Sequence, residues 1–456
     1  MYLTTLKDIP SINKIIQEVK GKVDLNEDYL KFIIKDLVNV IRDQIKKKDI
    51  SLTKSELKAY LIKSVLNKTK HNLVNIINGT GIVLHTGFGR APFEASSLKS
   101  ISDRLEGYTN LEFDLKTGKR GDRQKHIEDL LSAICGGESA MAVNNNAGAV
   151  MLAINELAQN GGEVICSRGQ LVEIGGSFRI PDIIKKSDAK LIEVGTTNRT
   201  HIYDYENAIN SKTKLLLQVH TSNYVVKGYT KSVELSEIVE LGEKYQIPVM
   251  SDWGSGTLID MNNYFRSNEI PIKKIMKTRP SLITFSGDKL IGGPQSGLIV
   301  GQRKYIEMLK KNTLYRTLRC NKITIALLEE ILRSFKTDSF KKYNLSLELL
   351  TSSQKDLKSK GLLMLDSLKK QQIKKLNIKL KDSEVEAGSG SLPEKKIKSM
   401  AFTFKSQKYK AEQLAYFFRN ADYPVVGYIL NDTFHIDLKA IIPNQFQKLV
   451  ETINKL

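Results

Sequence analysis

The sequence predicts an α/β fold in which a mostly parallel sheet with flanking helices stands between a small helical N-terminal domain and an α+β C-terminal domain. Three observations predict it. Short continuous apolar runs alternate with helical stretches between about residues 86 and 330. No strand-like alternation occurs over residues 1–70. The last part of the chain reads strand, helix, strand, strand, helix. The 456 residues, 41% of them hydrophobic, suffice for a large core and for two to four domains at ~100–200 residues each.

Residues 1–70 read as helices over Ser11–Lys20, Leu25–Lys47 and Leu52–Leu66. Leu30, Ile33, Ile34, Leu37 and Ile41 recur at helical spacing and should share one apolar face. Ser51 and Thr53 are candidate caps of the last helix. This domain carries 15 Lys and Arg against nine Asp and Glu, a net of +6. Residues 71–85, rich in Gly and Asn, are expected as a linker segment with a short strand. Strands are then expected at Glu163–Cys166, Lys190–Val194, Leu215–Val219, Pro248–Asp252, Leu282–Phe285 and Leu298–Val300. Apolar runs without polar alternation, separated by helices, belong to parallel strands buried on both faces. The helix Glu234–Lys244 fits a crossover between two of them. The C-terminal domain, 331–456, should hold a long helix, Lys322–Leu350 running into it, and a lysine-rich exposed helical surface over 352–374. Its small α+β part comprises Ser399–Phe404, Ala411–Asn420, Val425–Ile429, Thr433–Asp437 and Pro443–Ile453. Gly388-Ser389-Gly390-Ser391 reads as a flexible turn.

Composition narrows the function. No apolar run approaches the ~18 residues of a membrane span. The start, MYLTTLKDIPSINKII, has an acid at Asp8 and no signal-peptide core, which predicts a cytoplasmic protein. Cys135, Cys166 and Cys320 are too scattered for a disulfide framework, and the six histidines show no metal-ligand spacing. The formal charge of +20 draws the chain toward polyanions. A lysine-rich composition spread over the whole chain gives the same figure, so charge alone does not identify a nucleic-acid binder.

Four segments carry chemistry. In Thr284-Phe285-Ser286-Gly287-Asp288-Lys289-Leu290-Ile291-Gly292-Gly293-Pro294-Gln295-Ser296-Gly297 a strand ends, a small polar residue follows, then a lysine and a Gly-rich turn. Enzymes of the aspartate-aminotransferase fold that use pyridoxal phosphate (PLP) need this layout, because the lysine amine must reach the cofactor aldehyde from a strand end. Lys289 is therefore the expected Schiff-base lysine, and Ser286 a donor to the cofactor phosphate. Asp252 ends an earlier strand, where a carboxylate can pair with the pyridine nitrogen and keep it protonated. Asn144-Asn145-Asn146-Ala147-Gly148-Ala149 precedes an apolar helix, and such a start presents free N–H groups to a phosphate. Asn145, Asn146 and Ala147 are the candidates there, though the same run alone also reads as a plain helix cap. His220 and Asn223, after the strand ending at Val219, can reach the cofactor's phenolic oxygen; a turn with Asx-type hydrogen bonds is the alternative. Gln170 or Glu173 could cover the ring face.

Together these segments resemble one family, the bacterial selenocysteine synthases or L-seryl-tRNA(Sec) selenium transferases. The likeness is carried by INGTGIVLHTGFGRAP (77–92), YTNLEFDLKTGKRGDR (108–123), NNNAGAV (144–150), SRGQLVEIGGSFRIPD (167–182), EVGTTNRT (193–200), VHTSNY (219–224), DWGSG (252–256), FSGDKLIGGPQSG (285–297) and YRTLRCNK (315–322). It implies a fold-type-I PLP-dependent transferase whose large α/β domain, 86–330, binds the cofactor and whose basic domain, 1–70, binds tRNA. The implied reaction, in selenocysteine biosynthesis, turns the serine on tRNA(Sec) into selenocysteine. Water is eliminated, and selenium from selenophosphate adds to an aminoacrylyl-tRNA intermediate. A homo-oligomeric ring of dimers, with a homodecamer as one form, is implied too. Carried residue by residue, Lys289 matches the Schiff-base lysine, and Asp288, beside it, joins Lys289 and Asp252 as a catalytic residue. Arg90, Arg316 and Arg319 match the arginines that hold the selenophosphate anion. The planar, permanently charged guanidinium suits such a ligand, and Arg316 and Arg319 share a face if their segment is helical. Gly87-Phe88 stand where the family pattern has Asn-Leu, Trp253 where an aliphatic residue is usual, and Arg279-Pro280 where small and acidic residues are. The alternative activity is that of a related PLP-dependent lyase or aldolase acting on a small amino acid or sugar acid.

Overall fold

The computed structural model describes residues 4–174, 178–221, 224, 226–265, 267, 269–337, 340–388 and 396–456. The chain forms two compact units, Met1–Asn75 and Ile76–Leu456.

The first unit is a three-helix arrangement: α1 (Ile12–Val19), α2 (Glu27–Lys46) and α3 (Lys54–Lys68). Each start is fixed by a polar cap. Asn26 accepts the Tyr29 N–H at 2.8 Å, and Thr53 forms a reciprocal box with Glu56. Leu30, Ile33, Ile34, Val38 and Ile41 of α2 are buried against Ile15, Ile16 and Val19 of α1 and Leu57, Leu61 and Val65 of α3. Leu37 is only partly buried; Val38 is the residue that completes the apolar stripe.

In the second unit seven strands form one sheet: β1 (Ser139–Val143), β2 (Glu163–Ser167), β3 (Lys190–Val194), β4 (Thr213–Val219), β5 (Val249–Asp252), β6 (Leu282–Ser286) and β7 (Gly297–Gly301). Their order is β1-β7-β6-β5-β4-β2-β3. All neighbours are parallel except those of β7, which runs against both β6 and β1. The link from β6 to β7 is too short for a parallel crossover, so the chain must reverse. Successive residues serve opposite faces. Ile283 and Phe285 join one core cluster while Leu282 joins the other, and Leu216 likewise faces away from Leu215 and Leu217. Both faces are thus covered, as the unbroken apolar runs require. Helix α4 (Asn146–Ala158) follows β1, and α5 (Leu235–Tyr245) connects β4 to β5.

Beyond β7 comes α6 (Thr313–Leu318), then a correction to the sequence reading. The single helix expected over Lys322–Leu350 is two, α7 (Lys322–Ser334) and α8 (Leu345–Thr351). Asn344 starts the second: its side chain accepts the Leu347 N–H at 3.1 Å and donates to the carbonyl of Ile291 at 2.7 Å. The lysine-rich stretch holds α9 (Gln354–Asp366) and α10 (Lys370–Leu376), which turn Leu357, Met364 and Leu376 inward.

The C-terminal sheet is antiparallel, of β8 (Lys379–Val385), β9 (Ile397–Phe404), β10 (Tyr428–Leu430) and β11 (Thr433–Asp437) in the order β8-β9-β11-β10. It packs on α9, α11 (Ala411–Arg419) and α12 (Phe446–Lys455) through Phe402, Phe404, Phe418 and Phe434. The run expected as one strand, Val425–Ile429, is divided. Val425–Val426 instead pairs in parallel with Ile77–Asn78, within the stretch expected as a linker. Of the expected flexible turn, Ser389, Gly390 and Ser391 lie outside the described residues. Among the described residues no helix is long and apolar enough to cross a membrane, and Cys135, Cys166 and Cys320 are free and buried.

Candidate functional site

The loop Gly287–Ser296 is a compact turn tied at both ends. Gly287 N–H donates to Ser296 O at 2.9 Å, Gly293 N–H to Gly287 O at 2.8 Å, and Gly292 N–H to Lys289 O at 2.9 Å. Two glycines are required by space. Gly292 has φ +74 and its missing Cβ would strike Asn344 Oδ1; a Cβ on Gly297 would strike the Asn145 carbonyl. The turn thereby brings Gly297, at the start of β7, against the start of α4. Lys289 is 4% exposed, and burial, then the nearby Arg90 charge, lowers its pKa and favours the neutral amine.

Asp252 ends β5, in register with Thr284 on β6. Its Oδ1 accepts Thr284 Oγ1–H at 2.9 Å and Asn146 Nδ2–H at 2.9 Å. Burial nevertheless raises its pKa, outweighing both bonds, the nearby Lys289 charge and a third hydrogen bond from the Gly254 backbone N–H. Asn145 caps α4, its side chain accepting the Gly148 N–H at 2.8 Å, which leaves the N–H groups of Asn146 and Ala147 in the unbonded first turn. His220, directly after β4, donates its backbone N–H to Asp252 O at 2.8 Å. Its ring stacks on Trp253 with centroids 4.2 Å apart, and burial lowers its pKa. Ser286 ends β6 and is buried, its N–H on Gly254 O at 3.2 Å. Asn223 lies outside the described residues. Of the two ring-face candidates, Gln170 accepts the Val219 N–H at 3.0 Å beside His220, whereas Glu173 pairs with Arg179 at 2.8 Å. A cleft of ≈ 890 Å³ opens at these strand ends, lined by Gln170, His220, Trp253 and Glu269; Lys289 and Asp252 are not among its lining residues.

Arg90 follows a tight turn, with its own φ at 64, and donates Nη1–H to Asp288 Oδ2 at 2.8 Å. Asp288, 6% exposed and next to Lys289 in the chain, thus ties Arg90 to the lysine loop. The helical spacing expected of Arg316 and Arg319 does not hold. Helix α6 ends at Leu318, and Arg319 has extended backbone, bridged antiparallel to Val143. Arg316 is exposed, and Arg319 donates to Glu112 at 3.1 Å.

The family model described as SelA, L-seryl-tRNA selenium transferase, matches residues 76–442. The chain belongs to the SelA family. Relatives of this name extend over the rest of it. The L-seryl-tRNA(Sec) selenium transferase of Clostridium botulinum strain Okra is 40% identical over 455 residues, covering 99% of this chain and 98% of that relative. Those of Maridesulfovibrio salexigens and Sulfurimonas denitrificans are each 38% identical, with 99% of this chain covered and 98% and 99% of the relatives. Among solved structures, D-glucosaminate-6-phosphate ammonia-lyase shares the fold, with a TM-score of 0.56 at 15% identity over 84% of this chain and 95% of that one.

SelA proteins are fold-type-I PLP enzymes, and the site fits that cofactor. Among the described residues the side chains hydrogen-bonded to the buried Asp252 carboxylate are the neutral Asn146 and Thr284, and a protonated ring nitrogen would supply a cation. Asn146 Oδ1 and His220 Nδ1 are buried with no hydrogen-bond partner, as groups reserved for a ligand would be. Sequence reasoning missed Thr284 and the stacking role of Trp253. The first depends on strand register between distant segments. The second was visible only as a departure from the family pattern.

Proposed function

We propose that this SelA chain converts L-seryl-tRNA(Sec) to L-selenocysteyl-tRNA(Sec), taking selenium from selenophosphate. Its full-length likeness to the transferases of that name carries the reading. The buried Lys289, Asp252 and Asp288, with the half-buried Arg90 paired to Asp288, support it.

Lys289 and Asp252 would hold PLP at its aldehyde and its ring nitrogen, with the first turn of α4 and Ser286 at its phosphate. When bound, the cofactor supplies a sink for the electron pair left at Cα of the seryl group. Lys289 Nζ, its pKa lowered by burial, takes the Cα proton once substrate has displaced it. Asp252 holds the countercharge, and Asn146 and Thr284 fix its orientation. Neutral His220, stacked on Trp253, offers Nδ1 to the cofactor's phenolic oxygen. Arg90, steadied by Asp288, is the part of the anion clamp next to Lys289, and Arg316 and Arg319 complete it. The β-hydroxyl leaves as water, selenium of selenophosphate bonds to Cβ, and hydrolysis of its Se–P bond releases inorganic phosphate. The basic N-terminal unit grips the tRNA backbone, the assembly is a homo-oligomeric ring of dimers, and the reaction runs in the cytoplasm.

Incubation with seryl-tRNA(Sec) and selenophosphate, followed by identification of the esterified amino acid, tests the activity. Selenocysteine is the expected product; unchanged serine under conditions that load the cofactor refutes it. Removing residues 1–75, a compact unit by itself, should leave cofactor absorbance intact. The same truncation should raise KM for seryl-tRNA on the order of 100-fold, the loss of a few phosphate contacts. Full turnover by the truncated chain would remove tRNA binding from that unit.

A further inference from the structure

The segment 108–123 carries part of the family likeness but has no role in the cofactor site. It folds as a hairpin, Phe113–Asp114 against Lys119–Arg120. Asp114 Oδ1 accepts the N–H groups of Lys116 and Thr117 at 2.9 and 3.1 Å and shapes its turn. At the base, Glu112 O accepts the Gly121 N–H at 3.0 Å. Its carboxylate gathers three arginines. Oε1 accepts Arg123 Nε–H at 2.9 Å and Arg319 Nη1–H at 3.1 Å, and Oε2 accepts Arg120 Nη2–H at 2.9 Å.

One exposed ion pair needs no function. This cluster differs in three respects. Three guanidinium groups meet one carboxylate, so positive charge is left over within these four residues. The Nε of Arg319 is buried without a hydrogen-bond partner, a desolvation cost that stands unless a ligand meets it. The backbone around Arg319 is also braced: Arg123 Nη1 donates to Cys320 O, and Asn144 N–H donates to Leu318 O at 2.8 Å. Arg319 is thus fixed beside the end of β1, where the Asn144–Ala147 run begins.

We propose that Glu112 is a positioning residue for the selenium-donor anion. It neutralises the repulsion between Arg123 and Arg319 and holds the Arg319 guanidinium in one orientation, so that its remaining donors are pre-set for a compact oxyanion. This rests on reading Arg319 as part of the anion clamp.

The test is steady-state kinetics of the full-length, cofactor-loaded protein with selenophosphate varied. Glu112→Gln should raise KM for selenophosphate roughly tenfold, the usual cost of losing a group that orients a ligand-binding side chain. KM for seryl-tRNA and the visible absorbance of the bound cofactor should not move, as they would if the fold had loosened. In an Arg319→Ala background the same substitution should add less than about twofold, because the group it positions is gone. If Arg319→Ala raises donor KM and Glu112→Gln does not, the positioning role is wrong and the clamp stands. If neither moves it, the clamp reading falls and this inference with it. Should Glu112→Gln fail to fold, Glu112→Asp, which keeps the charge but shortens its reach, is judged by the same criteria.

Discussion

Replacing Lys289 with alanine is expected to abolish the visible absorbance of the bound cofactor and to lower turnover on the order of 10⁴-fold or more. Two functions go at once: the amine that bonds the cofactor aldehyde and the group that takes the Cα proton. Absorbance spectra after incubation with PLP and single-turnover assays on seryl-tRNA measure them separately. The chain contains its own control. Among the described residues two lysines are buried, Lys289 and Lys439. Burial pushes Lys439 down to about 8, so a low pKa alone would nominate it as readily. Its surroundings argue otherwise. Lys439 Nζ donates to Ser352 O at 2.7 Å, and its backbone N–H donates to Asp437, whose carboxylate also accepts Ser383 and Ser399 at 2.6 Å each. Lys439 and Asp437 thus find their partners in one another, in two sheet serines and in the carbonyl that closes α8. Lys439→Ala should therefore lower the melting temperature and keep the absorbance. A coloured, active Lys289→Ala variant would mean that another lysine holds the cofactor.

The contrast between these lysines shows what was legible in the sequence. Lys289 could be read because its surroundings are local: strand, small residue, lysine and glycine turn are contiguous. The strands β2 to β7 were legible for a related reason, since a sheet covered on both faces writes itself as unbroken apolar runs. Strand β1 was not. Ser139-Ala140-Met141-Ala142-Val143 has small residues that fit a helix as well, and only pairing with β7 decides. Strand β8 was missed because Lys379–Val385 is an edge strand with mostly outward-facing charged residues. The long helix failed at Asn344, whose amide is spent on Ile291, 53 residues earlier in the chain. Arg319 failed similarly: its side chain answers to Glu112, 207 residues away. Helical spacing carries no information about such a partner.

Asp252→Asn should lower kcat by about 10²–10³-fold, the usual cost of removing one preorganised electrostatic partner, while leaving the fold intact. The amide is isosteric, and its oxygen can still accept from Asn146 and Thr284. What it cannot do is carry the countercharge of a protonated ring nitrogen. Burying a carboxylate costs several kcal/mol, and the hydrogen bonds from Asn146, Thr284 and the Gly254 backbone N–H, with the nearby Lys289 charge, do not cover that here, since burial still raises the Asp252 pKa. The sign of the stability effect follows. A carboxyl whose folded pKa lies above its unfolded value weakens the cofactor-free protein once pH exceeds the unfolded pKa, because ionisation in the folded state is disfavoured. Asp252→Asn removes that penalty, so the cofactor-free variant should melt no lower than the parent near neutral pH, and the gap should close as pH falls below 4. Activity runs the other way. The loaded parent needs the ionised carboxylate, which a protonated ring nitrogen would favour, and the amide of the variant cannot supply that charge at any pH. A structural role for Asp252 predicts the reverse pattern: a lower melting temperature, with kcat within about threefold of the parent. Melting curves of the cofactor-free proteins, set beside kcat profiles of the loaded ones, therefore decide whether this carboxylate serves the fold or the ring.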